Sequence, residues 1–445
     1  MKNKKRYPRV LIIYHNCINR ADQHGVSIRG WFADWPTDHL AQIYSGGESG
    51  QERFCGDTFK LGPNERWFGK LFFWLKNSSM GKVSLPVVQY EKRQVQEGAS
   101  TCLDLSKRAM GRLLLNSGLW ELLFSPKLSS ELTQWVQAFR PEIIYCQGYT
   151  LGFTWLPLML QKKFDLPICF QTGDDWPMNL YSVSPLSMIM SQVAQRSARR
   201  LIRTSSVRFS NGETMSQIYQ KRYGVTFEPL MMCDDIGRFN ASKARRVVDE
   251  GTVSVVYSGS LGSRRWEPLL DLCEVARELR TEGTDIIITA LTSGVPPEAF
   301  DKLSNAPCLH LLPVPSHEDL PAYLKGADLL FLPEAFEEWQ ANSIRISIST
   351  KAHIYMMSER PVLIYAPPVT GIMDYARQVG WGCLVDRQDR RLLKDALKKL
   401  ILDKIYCHML ISKGREIALQ RHDAAVVRER VREAIQRVAA DSRYH

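Results

Sequence analysis

Residues 252–272 read TVSVVYSGSLGSRRWEPLLDL. The first seven are apolar or small and rich in valine, which suits a strand buried on both faces. Gly259 and Gly262 follow and let the chain turn tightly. From there EPLLDLCEVARELRTEG (267–283) places its apolar residues at helical spacing. Strand, glycine turn and helix together are one half of a parallel βαβ unit. The start of such a helix offers free N–H groups to a phosphate. Arg264 and Arg265 add forked cations that match phosphate oxygens. The turn is neither G-x-G-x-x-G nor G-x-x-x-x-G-K-[ST], so the nicotinamide fingerprint and the Walker loop are both absent. An ordinary strand–turn–helix with surface arginines reads the same way.

The pattern extends in both directions. VLIIYH (10–15), EIIYCQ (142–147), PICFQT (167–172) and VRFS (207–210) read as buried strands. So do DIIITA (285–290), CLHLL (308–312), DLLFLP (328–333), PVLIY (361–365) and GCLV (382–385). Helix-length segments separate them. Strands that are apolar throughout, divided by helices, indicate parallel sheets covered on both faces. The pattern occurs twice, which predicts an α/β chain of two facing, doubly wound Rossmann-like domains. The expected divisions are 1–236, 251–420 and a last amphipathic helix within 421–445. The polar, basic stretch 237–252 is expected to link the domains. Ligands of this architecture bind beyond the carboxyl ends of the strands.

The 445 residues exceed what one core usually serves. At 44% hydrophobic and 24% charged, the composition is that of a globular protein. The net charge is +11 and unevenly placed. Residues 1–235 hold 29 basic and 20 acidic side chains, whereas 247–386 hold 10 and 19. A basic first half suggests an anionic partner there. Ten cysteines at irregular spacing, without a C-x-x-C pair, speak against a zinc site or a disulfide framework, and a reducing cytosol is expected. No apolar run is long enough to span a bilayer. NERWFGKLFFWLKNSSMGK (64–82) interleaves aromatics with lysine and arginine, as an interfacial helix does. A helix packed on the first core is the other reading. The arginines between 196 and 208 are a further basic cluster. No nucleic-acid module is apparent.

Other residues suit ligand chemistry. SISTKAHIYMMSERPVLIY (347–365) sets Ser349, Thr350 and Lys351 before a short helix, a combination fit for an anion. The same hydroxyls also serve as helix caps. Asp174 and Asp175 end the strand PICFQT, where they could orient hydroxyls or act as acid and base, or cap the next helix. The loop after the first strand supplies Gly25. PEAFEEWQ (333–340) reads by default as a solvated acidic loop. Scattered histidines and the absence of a D-x-D edge give no support for a metal, and no G-x-S-x-G elbow marks a hydrolase.

The order of six segments resembles a known family. These are PEIIYCQGY, LPICFQTGDDW and NGETMSQIYQKRYG in the first half, then VYSGSLGSRRWEPLLDL, VPSHEDLPAYLKGADLLFLP and STKAHIYMMSERPVLIYAPP. Together they resemble the two-Rossmann-domain (GT-B) glycosyltransferases, in particular the large retaining group called family 4. The likeness is strongest from about 140 to 425. It implies transfer of a sugar from a nucleotide-diphosphate sugar to a glycan or lipid-linked acceptor, without a metal or other cofactor. It implies that Gly259, Ser260, Arg264 or Arg265, Ser349, Thr350 and Lys351 hold the diphosphate. Val314 and Pro315 would border the base, and Gly25 would approach the diphosphate from the first domain. The last helix would cross back to that domain. Cysteine usage and charge, rather than the likeness, give the expectation of a cytoplasmic protein, peripheral on an anionic membrane surface through 64–82 and 196–208. The pattern departs at one point: where many members carry two glutamates, this chain has Ile346 and Ile354. A nucleotide-sugar epimerase on the same fold, or a degenerate nucleotide-sugar-binding protein, are the alternatives.

Overall fold

The computed structural model describes residues 6–18, 23–46, 54–69, 118–181 and 188–441. Two compact units emerge: Met1–Leu230 with Arg428–His445, and Met231–Val427.

The first unit is built on strands β1 (Val10–Ile13), β2 (Leu40–Tyr44), β3 (Asp57–Lys60), β4 (Ile143–Cys146), β5 (Ile168–Thr172), β6 (Val207–Ser210) and β7 (Glu228–Pro229). They form one sheet in the order β3-β2-β1-β4-β5-β6-β7. Every pairing is parallel, with Val10 opposite Leu40 on one side and Ile143 on the other. Every residue of β1, β2, β4 and β5 is buried. That follows from helices on both faces, and explains why these strands are apolar without alternation.

The second unit holds β8 (Val253–Ser258), β9 (Ile286–Thr292), β10 (Leu309–Pro313), β11 (Leu329–Pro333), β12 (Val362–Tyr365) and β13 (Cys383–Val385). Their order is β10-β9-β8-β11-β12-β13, again parallel throughout. Successive residues of β8 serve opposite faces. Val255 and Tyr257 enter one core with Leu269, Leu272 and Val275 of the helix Trp266–Thr281. Val256 enters the other with Leu330, Tyr355 and Met356. The strand side-chain period of two distributes an apolar run between two layers.

Both sheets reverse their winding direction once, between β1 and β4 and between β8 and β11. Such switch points open a crevice at the carboxyl ends of the strands.

The stretch 237–252 is part of the second unit rather than a free tether. Lys325 Nζ donates to the carbonyls of Phe239 and Ser242 at 2.9 and 2.8 Å. Arg245 N donates to Ala322 O at 2.9 Å, and Arg246 pairs with Asp328 at 2.9 Å. Its carbonyls are satisfied by Lys325 and its Arg246 by a carboxylate, which composition alone does not reveal. The last helix, Ala424–Asp441, belongs to the first unit from Arg428 onward. There Arg428 donates to Gly30 O at 2.8 Å and pairs with Asp34 at 2.9 Å. Among the described residues no helix is long and apolar enough to cross a membrane, and no group of three or more His, Cys, Asp or Glu is placed to hold a metal.

Candidate functional site

The site in the second unit is assembled at its switch point. β8 ends at Ser258, and Gly259 follows at φ 147°. A Cβ there would lie 2.2 Å from Lys351 Cε, so only glycine leaves room for that side chain. Lys351 is 8% exposed. Its ammonium sits 5.7 Å from the centre of the Tyr257 ring, and none of its three donors has an acceptor among the described residues. Burial first, and then the neighbouring Arg265 guanidinium, push the ammonium down to about 8, against the pull of Glu334. Two tyrosines fix the turn. Tyr257 OH donates to Ser260 O at 2.5 Å, and Tyr355 OH accepts from Ser258 N at 2.8 Å. Ser260 Oγ accepts from Gly262 N at 3.1 Å.

The two arginines separate. Arg265 Nε donates to Glu334 Oε2 at 2.7 Å. Its terminal nitrogens remain without a hydrogen-bond partner among the described residues. Arg264, at φ 56°, turns outward to Glu267 and to Glu337, the latter at 2.9 Å. Its side chain is 47% exposed and engaged by two carboxylates, whereas Arg265 is the arginine whose charge acts on Lys351. Glu334 immediately follows β11 and is buried, 3% exposed. In sequence it reads as part of a solvated acidic loop. The signal for the alternative was its position directly after an apolar strand. Ser349 and Thr350 are half-buried beside Lys351, and Ser349 O accepts from Ala352 N at 3.1 Å. Val314 and Pro315 lie apart, in the loop after the edge strand β10, with Val314 41% exposed. Ile346 is buried and Ile354, on the helix Ala352–Met357, packs against the apolar core; the carboxylate whose charge acts on Lys351 is Glu334.

In the first unit the two aspartates have structural duties. Asp175 accepts from Arg222 NH1 and NH2 at 2.5 and 2.9 Å and from Tyr219 OH at 3.0 Å. Asp174 Oδ1 accepts from Trp176 N at 3.1 Å, an i to i+2 turn just ahead of the helix Trp176–Asn179, whose N-cap, Asp175, makes no side-chain cap bond. An acid–base role for Asp175 conflicts with having both oxygens engaged by a guanidinium. Gly25 is not in a loop but in the first turn of the helix Gln23–Phe32. Ile28, Trp31 and Phe32 of this helix are all buried at helical spacing.

This unit has its own cavity at the β1/β4 switch point. His15, Glu65, Arg66, Trp120, Glu121 and Phe153 line it. His15 is buried against the rings of Tyr14, Tyr149 and Phe153. Glu121 accepts from Leu151 N at 2.6 Å, and burial raises its carboxyl above the ordinary value. Gly148 at φ 85° admits the Trp176 indole, which a Cβ would approach to 2.5 Å. None of these residues forms a motif in sequence. Of 64–82, residues 70–82 lie outside the described residues; Trp67 and Phe68 are 54% and 65% exposed.

No family model matches the sequence, and no curated protein matches it. Solved structures do. An alpha,alpha-trehalose 6-phosphate synthase from Burkholderia multivorans is 12% identical and aligns over 98% of this chain and 100% of its own, with a TM-score of 0.62. Anabaena HepE, in complex with UDP and glucose, is 13% identical over 97% and 100%, at 0.58. A putative UDP-N-acetylglucosamine 2-epimerase from Listeria monocytogenes is 11% identical over 96% and 95%, at 0.53. At such identities the likeness concerns the fold. Two parallel, doubly covered sheets of seven and six strands, matched along nearly the whole chain, show that this protein has the GT-B fold.

Proposed function

We propose that the protein is a glycosyltransferase that moves a sugar from a nucleotide-diphosphate sugar to a glycan or lipid-linked acceptor, with retention. The observation that carries this reading is Lys351: a buried ammonium without an acceptor, set against a glycine turn at a switch point. A buried cation lacking an anionic partner is costly unless a ligand supplies the charge. A diphosphate does so. Lys351 would meet the bridging or terminal oxygens, and the free end of Arg265 would take a second oxygen. Glu334 would hold Arg265 in place and keep the empty site near net +1. As the glycosidic bond breaks, negative charge grows on the departing diphosphate. Fixed cations in a water-poor site stabilise that charge most where it develops. Ser349 and Thr350 are hydroxyl donors beside the same anion, and Val314 and Pro315 remain candidates for the base. The cavity at His15, Glu65 and Glu121 is the proposed acceptor pocket. HepE bound to UDP and glucose on the same fold agrees with this reading.

A cytoplasmic, membrane-peripheral placement is part of the proposal. The helix Met188–Thr204 turns Arg196, Arg199, Arg200 and Arg203 outward and contains no acidic residue. That helix, and the exposed Trp67 and Phe68, would each suit anionic lipid. An epimerase is the second reading, prompted by the Listeria neighbour.

The test is nucleotide release from UDP-, GDP- and ADP-sugars, with product analysis. One of them should be cleaved, with the sugar transferred or hydrolysed. Lys351→Ala should lower turnover about 10- to 100-fold, as loss of one charge-assisted contact does. A change of sugar configuration without nucleotide release would favour the epimerase. An unchanged rate in Lys351→Ala would remove the site.

A further inference from the structure

The second unit carries an exposed apolar group that neither the donor site nor the core uses. Leu402 is 76% exposed, Ile405 85% and Met409 55%. Leu402 closes the helix Arg390–Leu402, and Ile405 and Met409 lie one turn apart on the next helix, Lys404–Ile417. The buried faces of both helices are fully served by Leu393, Leu397, Leu400, Cys407 and Leu410. The three outward residues are therefore surplus to folding. Single exposed apolar residues are ordinary, but three adjoining ones are not.

Their surroundings specify the occupant. Residues 398–413 contain four lysines, 398, 399, 404 and 413, and one acid, Asp403. Asp403 is engaged as a cap, accepting from Tyr406 N at 2.9 Å. Lys404 has no anionic partner among the described residues, and Lys399 lies 3.7 Å over the Tyr406 ring. Lys398 and Lys413 pair with Glu282 and Glu416 at 2.6 and 2.8 Å, at the margin of the group. Arg360 and Lys404 also line a groove beside it, floored by Leu400 and Ile411. Apolar tips inside a fringe of lysines match the boundary between acyl chains and anionic headgroups. A second copy of this chain would bring lysines against lysines.

We propose that Leu402, Ile405 and Met409, with Lys399 and Lys404, form a docking surface for an anionic bilayer on the second unit. This surface is separate from the arginine face of the first unit and does not depend on the donor reading. The experiment is co-sedimentation of the full chain with vesicles of phosphatidylcholine containing about one quarter phosphatidylglycerol, at low salt. Ile405→Asp/Met409→Asp should lower the bound fraction about tenfold, and Lys399→Gln/Lys404→Gln should lower it severalfold at low salt and less as salt rises and screens the lysines. Thermal unfolding of each variant should match the wild type, which separates lost docking from lost folding. Arg199→Gln/Arg200→Gln reports the other surface in parallel. Binding that survives both second-unit variants, or no binding by the wild type, overturns the proposal. So does a concentration-dependent dimer, without vesicles, that Ile405→Asp/Met409→Asp splits.

Discussion

Lys351 shows what one residue gains from its neighbours. In sequence it is a lysine after two hydroxyls, SISTK, equally readable as an anion site or a helix start. In the fold it is buried, faces the bare backbone of Gly259 and shares its field with Arg265 and Glu334. Its ammonium titrates at about 8. The charged form needed for an anionic donor therefore prevails below that pH and is lost above it. The expected profile of kcat/KM for the donor falls as pH rises through about 8. In Lys351→Gln the falling limb should vanish and the plateau should be lower. A limb that persists unchanged in the variant would assign it to another group. Glu334 illustrates the opposite case. The letters PEAFEEWQ look like surface, and only the packing of β8 beside β11 puts this carboxylate against Arg265. Long-range pairing of that kind leaves no local signature.

At the scale of elements, the strands were the most legible feature. A parallel strand covered on both faces must be apolar at every position, and this departs visibly from ordinary alternation. The turns were legible where a glycine was obligatory, as at Gly259. Helix starts were less so. Gly25 reads as loop from its neighbours, but it lies in the first turn of the helix Gln23–Phe32. The pair Asp174–Asp175 could be read as chemistry or as capping, because both need a carboxylate after a strand. Arg222, 47 positions away, decides it by binding both oxygens of Asp175. Asp175→Ala should thus destabilise the first unit by about 2 kcal/mol, the usual cost of a charge-assisted bond lost from a partly buried site. Turnover per folded molecule should remain within about twofold of wild type. A collapse of turnover with unchanged unfolding temperature would restore Asp175 to the chemistry.

For the whole molecule, two units and a returning last helix follow from a repeated strand–helix rhythm, and the rhythm survives at 11–13% identity to solved neighbours because it depends on burial rather than on particular side chains. The exact passage between units did not follow. The chain crosses at Leu230–Met231 and at Val427–Arg428, and the basic stretch 237–252 packs into the second unit. The two crossing segments run side by side there: Asp234 N donates to His422 O at 3.1 Å and Ala424 N to Asp234 O at 2.9 Å. His422 pins them, with Nδ1 2.7 Å from Met232 O and Nε2 2.9 Å from Tyr375 OH. Burial, then its neighbour His353, hold it neutral, pushed down to about 3. A histidine depressed in the folded state stabilises fully above its unfolded value of 6.5 and loses that contribution as pH falls toward 3. His422→Gln should flatten the loss of stability over that window by about one proton, or about 1.4 kcal/mol per pH unit. An unaltered slope in denaturant titrations would mean that His422 is already charged when folded.

The measurement that bears most directly on the central claim is calorimetric titration of the full chain with UDP, GDP and ADP, repeated on Lys351→Met. Methionine keeps the length of the side chain against Gly259 and removes the charge. The account predicts that one diphosphate binds the wild type and binds Lys351→Met about 10- to 100-fold more weakly, with the unfolding temperature of the free protein unchanged or raised. Equal affinity in the two proteins, or no binding of any nucleoside diphosphate to the wild type, would contradict it.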